Sequence, residues 1–88
     1  MAIQFRHLEQ QNGETRIADH RMRAFDVLDI QRHGASPNEI AEDYSLPLGA
    51  VYEALAYAAD HPEEMAAVEQ RDRDAYFGGQ GASGRPLS

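Results

Sequence analysis

Residues 24–60 read AFDVLDIQRHGASPNEIAEDYSLPLGAVYEALAYAAD, and their punctuation divides them into three helices. From Ala24, Phe25, Leu28 and either Val27 or Gln31 share one helical face, and Gly34 supplies a stop. Arg32 and His33 suit the negative end of that helix. Ser36-Pro37-Asn38-Glu39 then opens a second helix. Ser36 caps the Glu39 backbone N–H, Glu39 reaches back, and Pro37 takes the first helical position. This helix is short, Pro37 to about Asp43, with Ile40 and Ala41 inward and Tyr44 near its end. Ser45-Leu46-Pro47 breaks the pattern. The third helix, Leu48–Asp60, carries a stripe of Leu48, Val51, Leu55 and Ala58, with Ala54 beside it. If Val51 and Leu55 face the core, Gly49, Ala50, Tyr52, Glu53, Ala56 and Tyr57 point outward. A turn of the length of Tyr44–Pro47 between a short helix and a striped one outlines a tri-helical helix-turn-helix.

Upstream, Ile3–Leu8 partly alternates apolar and polar residues, as does Thr15–Met22. Between them Asn12-Gly13 is the dipeptide that most readily supplies the positive φ angles of a tight turn. Residues 1–23 are therefore expected to form a β-hairpin or extended arm. A lone hairpin is unstable in water and must pack on something, and its edges make a homodimer through this arm the expected assembly. Downstream, Asp60 or His61 caps a fourth helix over residues 61–77, with Pro62 in its first turn. Met65, Val68, Asp72 and Tyr76 lie on one side of it. Residues 78–88, GGQGASGRPLS, are Gly- and Ser-rich and expected to be disordered. The fold class is thus mainly α.

Composition narrows the functional classes. Eighty-eight residues with 42% hydrophobic content, much of it Ala, support one domain with a modest core. The absence of Cys excludes disulfides, thiolate metal sites and a cysteine nucleophile. No apolar h-region opens the chain and no run is long enough to span a membrane, so cytoplasm is the expected location. All eight basic residues are Arg. Arg6, Arg16, Arg21, Arg23 and Arg32 balance Glu9, Glu14, Asp19, Asp26 and Asp29, so the net charge of -7 lies wholly in residues 34–88. That half repels nucleic acid phosphate, whereas the first third can approach it. A Lys-free acidic chain also fits a high-salt cytoplasm.

The stretch from Arg16 to Asp60 resembles the bacterial and archaeal family called domain of unknown function 433. The resemblance rests on Ile17, Arg21-Met22, Val27-Leu28, Gly34-Ala35-Ser36-Pro37-Asn38-Glu39-Ile40, Glu42-Asp43-Tyr44, Val51, Ala54-Leu55 and Tyr57-Ala58-Ala59-Asp60. It implies a homeodomain-like helix-turn-helix, acting as the antitoxin of a toxin–antitoxin pair whose toxin is a PIN-like RNase. A Gly-Gly-Lys-Pro-type segment common in the family is missing, and Asp19-His20-Arg21 stands where a Gly-Thr-Arg turn would be. The N-terminal arm is therefore a departure from the family pattern.

Candidate sites follow from charge and exposure. DNA reading requires donors aimed at phosphates and base edges, and the third helix offers only Tyr52 among its outward residues. The better cations are Arg16, Arg21 and Arg23 around the second strand, with Arg6 on the first. Arg21 and Arg23 would share a strand face. Alternatively, these Arg side chains simply pair with Asp19 or Glu14. For a protein partner, the acidic fourth helix with Met65, Val68, Asp72, Tyr76 and Phe77 offers a docking element for a cationic RNase. Equally, it can fold back onto the third helix and enlarge the core.

His7, His20, His33 and His61 lack metal-ligand spacing. Glu42-Asp43 and Glu63-Glu64 have no basic or nucleophilic neighbour, and Ser36 is committed as a cap, so neither enzymatic chemistry nor a cofactor is expected. The leading expectation is an antitoxin-like binding protein that neutralises its RNase by direct contact and binds operator DNA. The alternatives are a stand-alone transcriptional regulator and a structural or adaptor domain without a nucleic acid role.

Overall fold

A computed structural model describes residues 5–82 as four helices preceded by a two-stranded antiparallel sheet. The strands are β1 (Leu8–Gln11) and β2 (Glu14–Ile17), and the helices are α1 (Ala24–Arg32), α2 (Pro37–Asp43), α3 (Leu48–Asp60) and α4 (Pro62–Ala82). The Asn12-Gly13 turn fixes the hairpin. Both residues have positive φ, 57° and 80°, and a two-residue turn of this kind sets Gln11 opposite Glu14 and Leu8 opposite Ile17. Among the described residues the strands are consequently those flanking the turn: β1 starts at Leu8, where the first alternating segment ends, and β2 takes in only Thr15–Ile17 of the alternating Thr15–Met22. Ile3 and Gln4 lie outside the described residues. Only β2 shows the expected alternation, with Thr15 and Ile17 buried, because β1 is exposed on both faces beyond Leu8.

Beyond Ile17 the chain turns sharply. The Ile17 N–H donates to the Met22 carbonyl at 2.8 Å, and Asp19 takes a positive φ. Arg21 therefore sits in a turn and Arg23 at the N-cap of α1, so the two do not share a strand face. The Asp26 carboxylate accepts from the Arg23 backbone N–H at 2.9 Å, closing the first turn of α1.

α1 and α2 end in the same way. Ala35 N–H donates to Ile30 O and Gly34 N–H to Gln31 O; Leu46 N–H donates to Ala41 O and Ser45 N–H to Glu42 O. Both are Schellman terminations with one left-handed residue. Gly34 (φ 111°) fills that place in the first, Ser45 (φ 56°) in the second. A serine there is strained. Ser45→Gly is expected to stabilise the protein by about 0.5–1 kcal/mol, since relief of strain exceeds the added freedom of the unfolded chain. A rise in melting temperature of roughly 3–6 °C would register it; an unchanged or lower midpoint would show that Ser45 carries no strain.

The core is continuous from the hairpin to α4: Ile17, Ala24, Phe25, Val27, Ile40, Leu46, Ala50, Val51, Ala54, Tyr57, Ala58, Met65 and Val68. At the branch point left open in α1, Val27 is inward and Gln31 exposed. The α3 stripe is rotated relative to the expected one. Ala50 and Tyr57 are buried, Leu55 is half-buried, and Leu48 is 41% exposed. Two neighbours cause the rotation: α1 packs closely on the small Ala residues of α3, and the Tyr57 hydroxyl is drawn toward the hairpin and α4. α4 runs through Gly78 and Gly79 to Ala82, so the Gly-rich segment does not end it at Phe77. Each Gly costs the helix about 1 kcal/mol without removing a backbone donor, and no Pro intervenes before Pro86. Residues 83–88 lie outside the described residues. Among the described residues no helix is long and apolar enough to cross a membrane.

Candidate functional site

The outer face of α2 and α3 carries Tyr44, Leu48 and Tyr52, three of the four exposed large hydrophobic side chains among the described residues. Tyr44 closes α2 and is 45% exposed; Leu48 and Tyr52, one turn apart on α3, are 41% and 54% exposed. A shallow depression of about 370 Å³ adjoins Leu48 and is lined by Asn38, Ala41, Glu42 and Leu46. The rim is acidic, with Glu39, Glu42 and Asp43 exposed. Arg and Lys are absent between Arg32 and Arg71, so α2 and α3 carry neither, while Arg6 lies near the Glu53 edge. The chemistry of the two helices on this face is aromatic, aliphatic and anionic. That suits an apolar surface flanked by positive charge, and it repels a phosphate backbone.

One edge of this face is set by a contact between the hairpin approach and α3. Glu53 accepts from the backbone N–H of His7 at 2.8 Å and from the His7 ring at 2.8 Å. The ring lies 3.5 Å from where a Cβ on Gly49 would stand, so Gly49 gives it room. Glu53 is thus a tether for the arm instead of an outward charge. Burial alone would raise its pKa, but the His7 hydrogen bonds and Arg6 hold it below the usual carboxylate range. Hydrogen bonds from Arg23 likewise hold Asp72 low, against its partial burial.

A carboxylate whose folded pKa is lowered contributes stability that is complete above the unfolded value and lost as pH falls through the folded one. The melting temperature should therefore fall from about pH 5 to about pH 3. Glu53→Gln should flatten that fall. A titration in the variant identical to wild type would remove Glu53 from acid unfolding.

Behind the face, a buried polar network fastens hairpin, α3 and α4 together. The Tyr57 hydroxyl donates to Glu64 at 2.5 Å, the other Glu64 oxygen accepts the Thr15 N–H at 3.1 Å, and Gln10 bonds both Thr15 and Tyr57. Burial and the Glu64 carboxylate push the Tyr57 phenol up, keeping it a donor. His61 stacks on its ring at 3.9 Å. Glu64 is thereby a structural acceptor for Tyr57 and Thr15.

The sequence-derived cations are scattered. Arg23 is enclosed by Asp26, Asp72 and Glu14, with contacts at 2.7, 2.7 and 3.4 Å, and the hydrogen bonds to Asp26 and Asp72 push its pKa up from the ordinary guanidinium value. It is committed to holding α1, α4 and the hairpin and is not available to phosphate. Arg16 reaches Gln11, and its Nε is buried without a hydrogen-bond partner among the described residues. Arg6, Arg21 and Arg32 are exposed and, among the described residues, form no ion pair. Tyr52 alone of the five proposed DNA contacts lies on the α2–α3 face.

Of the proposed partner contacts, Met65 (3% exposed) and Val68 (1%) are core, Asp72 holds Arg23, and Tyr76 is 60% exposed. The Phe77 side chain lies outside the described residues. α4 folds back and enlarges the core because its apolar pair completes the surface left open by α1 and α3, so Met65 and Val68 present nothing to a partner. Among the described residues no group of three His, Asp or Glu could hold a metal ion. His20, His33 and His61 bond backbone carbonyls.

Compared with known families, residues 6–58 match the sequence model of the family described as Protein of unknown function (DUF433). No curated protein and no solved structure matches the chain.

Proposed function

We propose, from the premise that this chain belongs to the DUF433 family of proteins of unknown function, that it is a non-enzymatic, cytoplasmic binding protein of antitoxin type. Its dock is the outer face of α2 and α3, and its partner is a cationic RNase of PIN-like type. The observation that carries this reading is the coincidence of exposed Tyr44, Leu48 and Tyr52 with an acidic rim on two helices that contain no Arg or Lys. Interface cores favour such aromatic and aliphatic groups, and an RNA-binding protein supplies the complementary charge. α2 and α3 are read as a homeodomain-like helix-turn-helix that has exchanged base reading for protein contact. Exposed Arg6, Arg21 and Arg32 leave a secondary, salt-sensitive role on DNA for the assembled complex.

Co-expression with a small PIN-like RNase encoded next to its gene, the arrangement this reading expects, tests the proposal. A stoichiometric complex in which RNase activity falls is the expected result, while the chain alone leaves operator duplex unshifted at physiological salt. Tight binding of the isolated chain to duplex, with no nuclease captured, would replace it with the regulator reading.

A further inference from the structure

α4 is 21 residues long, about 30 Å at 1.5 Å per residue, in a molecule whose two shorter extents are 29 and 22 Å. Its side chains divide by angle around the axis. Met65, Val68 and Asp72 face α1, α3 and Arg23. Glu64 and Arg71 face the hairpin, bonding Thr15 and approaching Glu14. A third stripe, Pro62, Ala66, Glu69, Arg73 and Tyr76, recurs at intervals of three and four residues and so forms one continuous line. At its N-terminal end this line borders a groove of about 450 Å³, floored by Leu28, Leu55, Ala58 and Met65. Leu28 and Leu55 remain half-exposed there. At the other end stands Tyr76, 60% exposed. A helix carrying Gly78 and Gly79 gains little from intrinsic propensity and depends on packing.

This line is complementary to itself when reversed. Reading it antiparallel about a point level with Arg71 sets Glu69 against Arg73 and Ala66 against Tyr76. The small Ala66 leaves space where the large ring arrives, and the charges are opposite. Glu69 and Arg73 already approach at 3.4 Å within one helix, with side chains 43% and 55% exposed. Each therefore retains capacity for a second partner.

We propose that α4 pairs antiparallel with α4 of a second copy about a two-fold axis level with Arg71. Glu69 of each protomer bonds Arg73 of the other, and Tyr76 of each enters the groove beside Ala66 of the other. The interface is isologous, as a two-fold requires. The hairpin, in contrast, is already packed within its own chain through Thr15 and His7.

Charge exchange tests the pairing. The intact chain should have the mass of a dimer by light scattering, whereas Glu69→Arg and Arg73→Glu should each be monomeric, with two like charges meeting two. Both positions are on the surface, so both variants should keep wild-type helical content. An equimolar mixture of the two should recover the dimer mass, because one protomer then supplies only arginines to the pairing and the other only glutamates. Loss of the intrahelical pair alone gives no such rescue. A monomeric wild type, dimeric single variants, or a mixture that stays monomeric would each overturn the proposal.

Discussion

Truncation after His61 is expected to abolish cooperative thermal unfolding. The removed segment contributes Met65 and Val68, both nearly fully buried, and full burial of such side chains is worth about 1.5–3 kcal/mol each. It also contributes Glu64. Without that carboxylate the Thr15 N–H and the Tyr57 hydroxyl lose acceptors in the interior, at roughly 1–3 kcal/mol each. Arg23 loses Asp72 at the same time. A domain of this size has only about 5–15 kcal/mol in total, so the sum consumes most or all of it. Circular dichroism should show a broad, non-cooperative melt for residues 1–61. A sharp transition within a few degrees of the full chain would mean that α4 is an appendage and that the hairpin and first three helices are self-sufficient.

If the proposed RNase complex forms, Leu48→Arg and Tyr52→Ala are each expected to weaken it at least about 30-fold, the equivalent of roughly 2 kcal/mol at the centre of an interface. Leu48→Arg adds a charge that a cationic partner repels; Tyr52→Ala removes the largest exposed ring on α3. Neither side chain is in the core, so the melting temperature should hold within about 0.5 kcal/mol of stability. Arg21→Ala and Arg32→Ala serve as controls on the exposed cations and should change affinity far less. Binding unaffected by both α3 substitutions would move the dock elsewhere.

The local grammar of the chain was legible without coordinates. Ser36, Pro37 and Glu39 define the start of α2, with Ser36 Oγ accepting from Glu39 N–H at 3.2 Å and Glu39 reaching back to Ser36 N–H at 2.8 Å. Gly34, Asn12-Gly13 and the bounds of α3 are equally local. What escaped is non-local. The sequence offers Arg23 as a phosphate contact or as a partner of Asp19 or Glu14; the Glu14 contact forms at 3.4 Å, but Asp72, 49 residues away, lies beyond local reading. Glu53 reads as an outward charge because its partner His7 is 46 residues upstream. The inward face of α3 follows neither residue size nor hydrophobicity alone. Tyr57, with a polar tip, turns inward because Glu64 and Gln10 await its hydroxyl, and this displaces Leu48 outward. Helical periodicity predicts a stripe but not its angle when small Ala residues line most of the helix. Of the ten residues singled out as contacts, Tyr52 alone falls on the α2–α3 face, since exposure there is a consequence of that rotation.

Amide shift mapping of the isotope-labelled chain titrated with the proposed PIN-like RNase partner tests the assignment of the dock most directly. The expected perturbations centre on Glu42, Tyr44, Leu48 and Tyr52 and leave β1, β2 and the Arg21 turn unchanged. Perturbations confined to the hairpin or to α4, with the α2–α3 face silent at saturation, would contradict it.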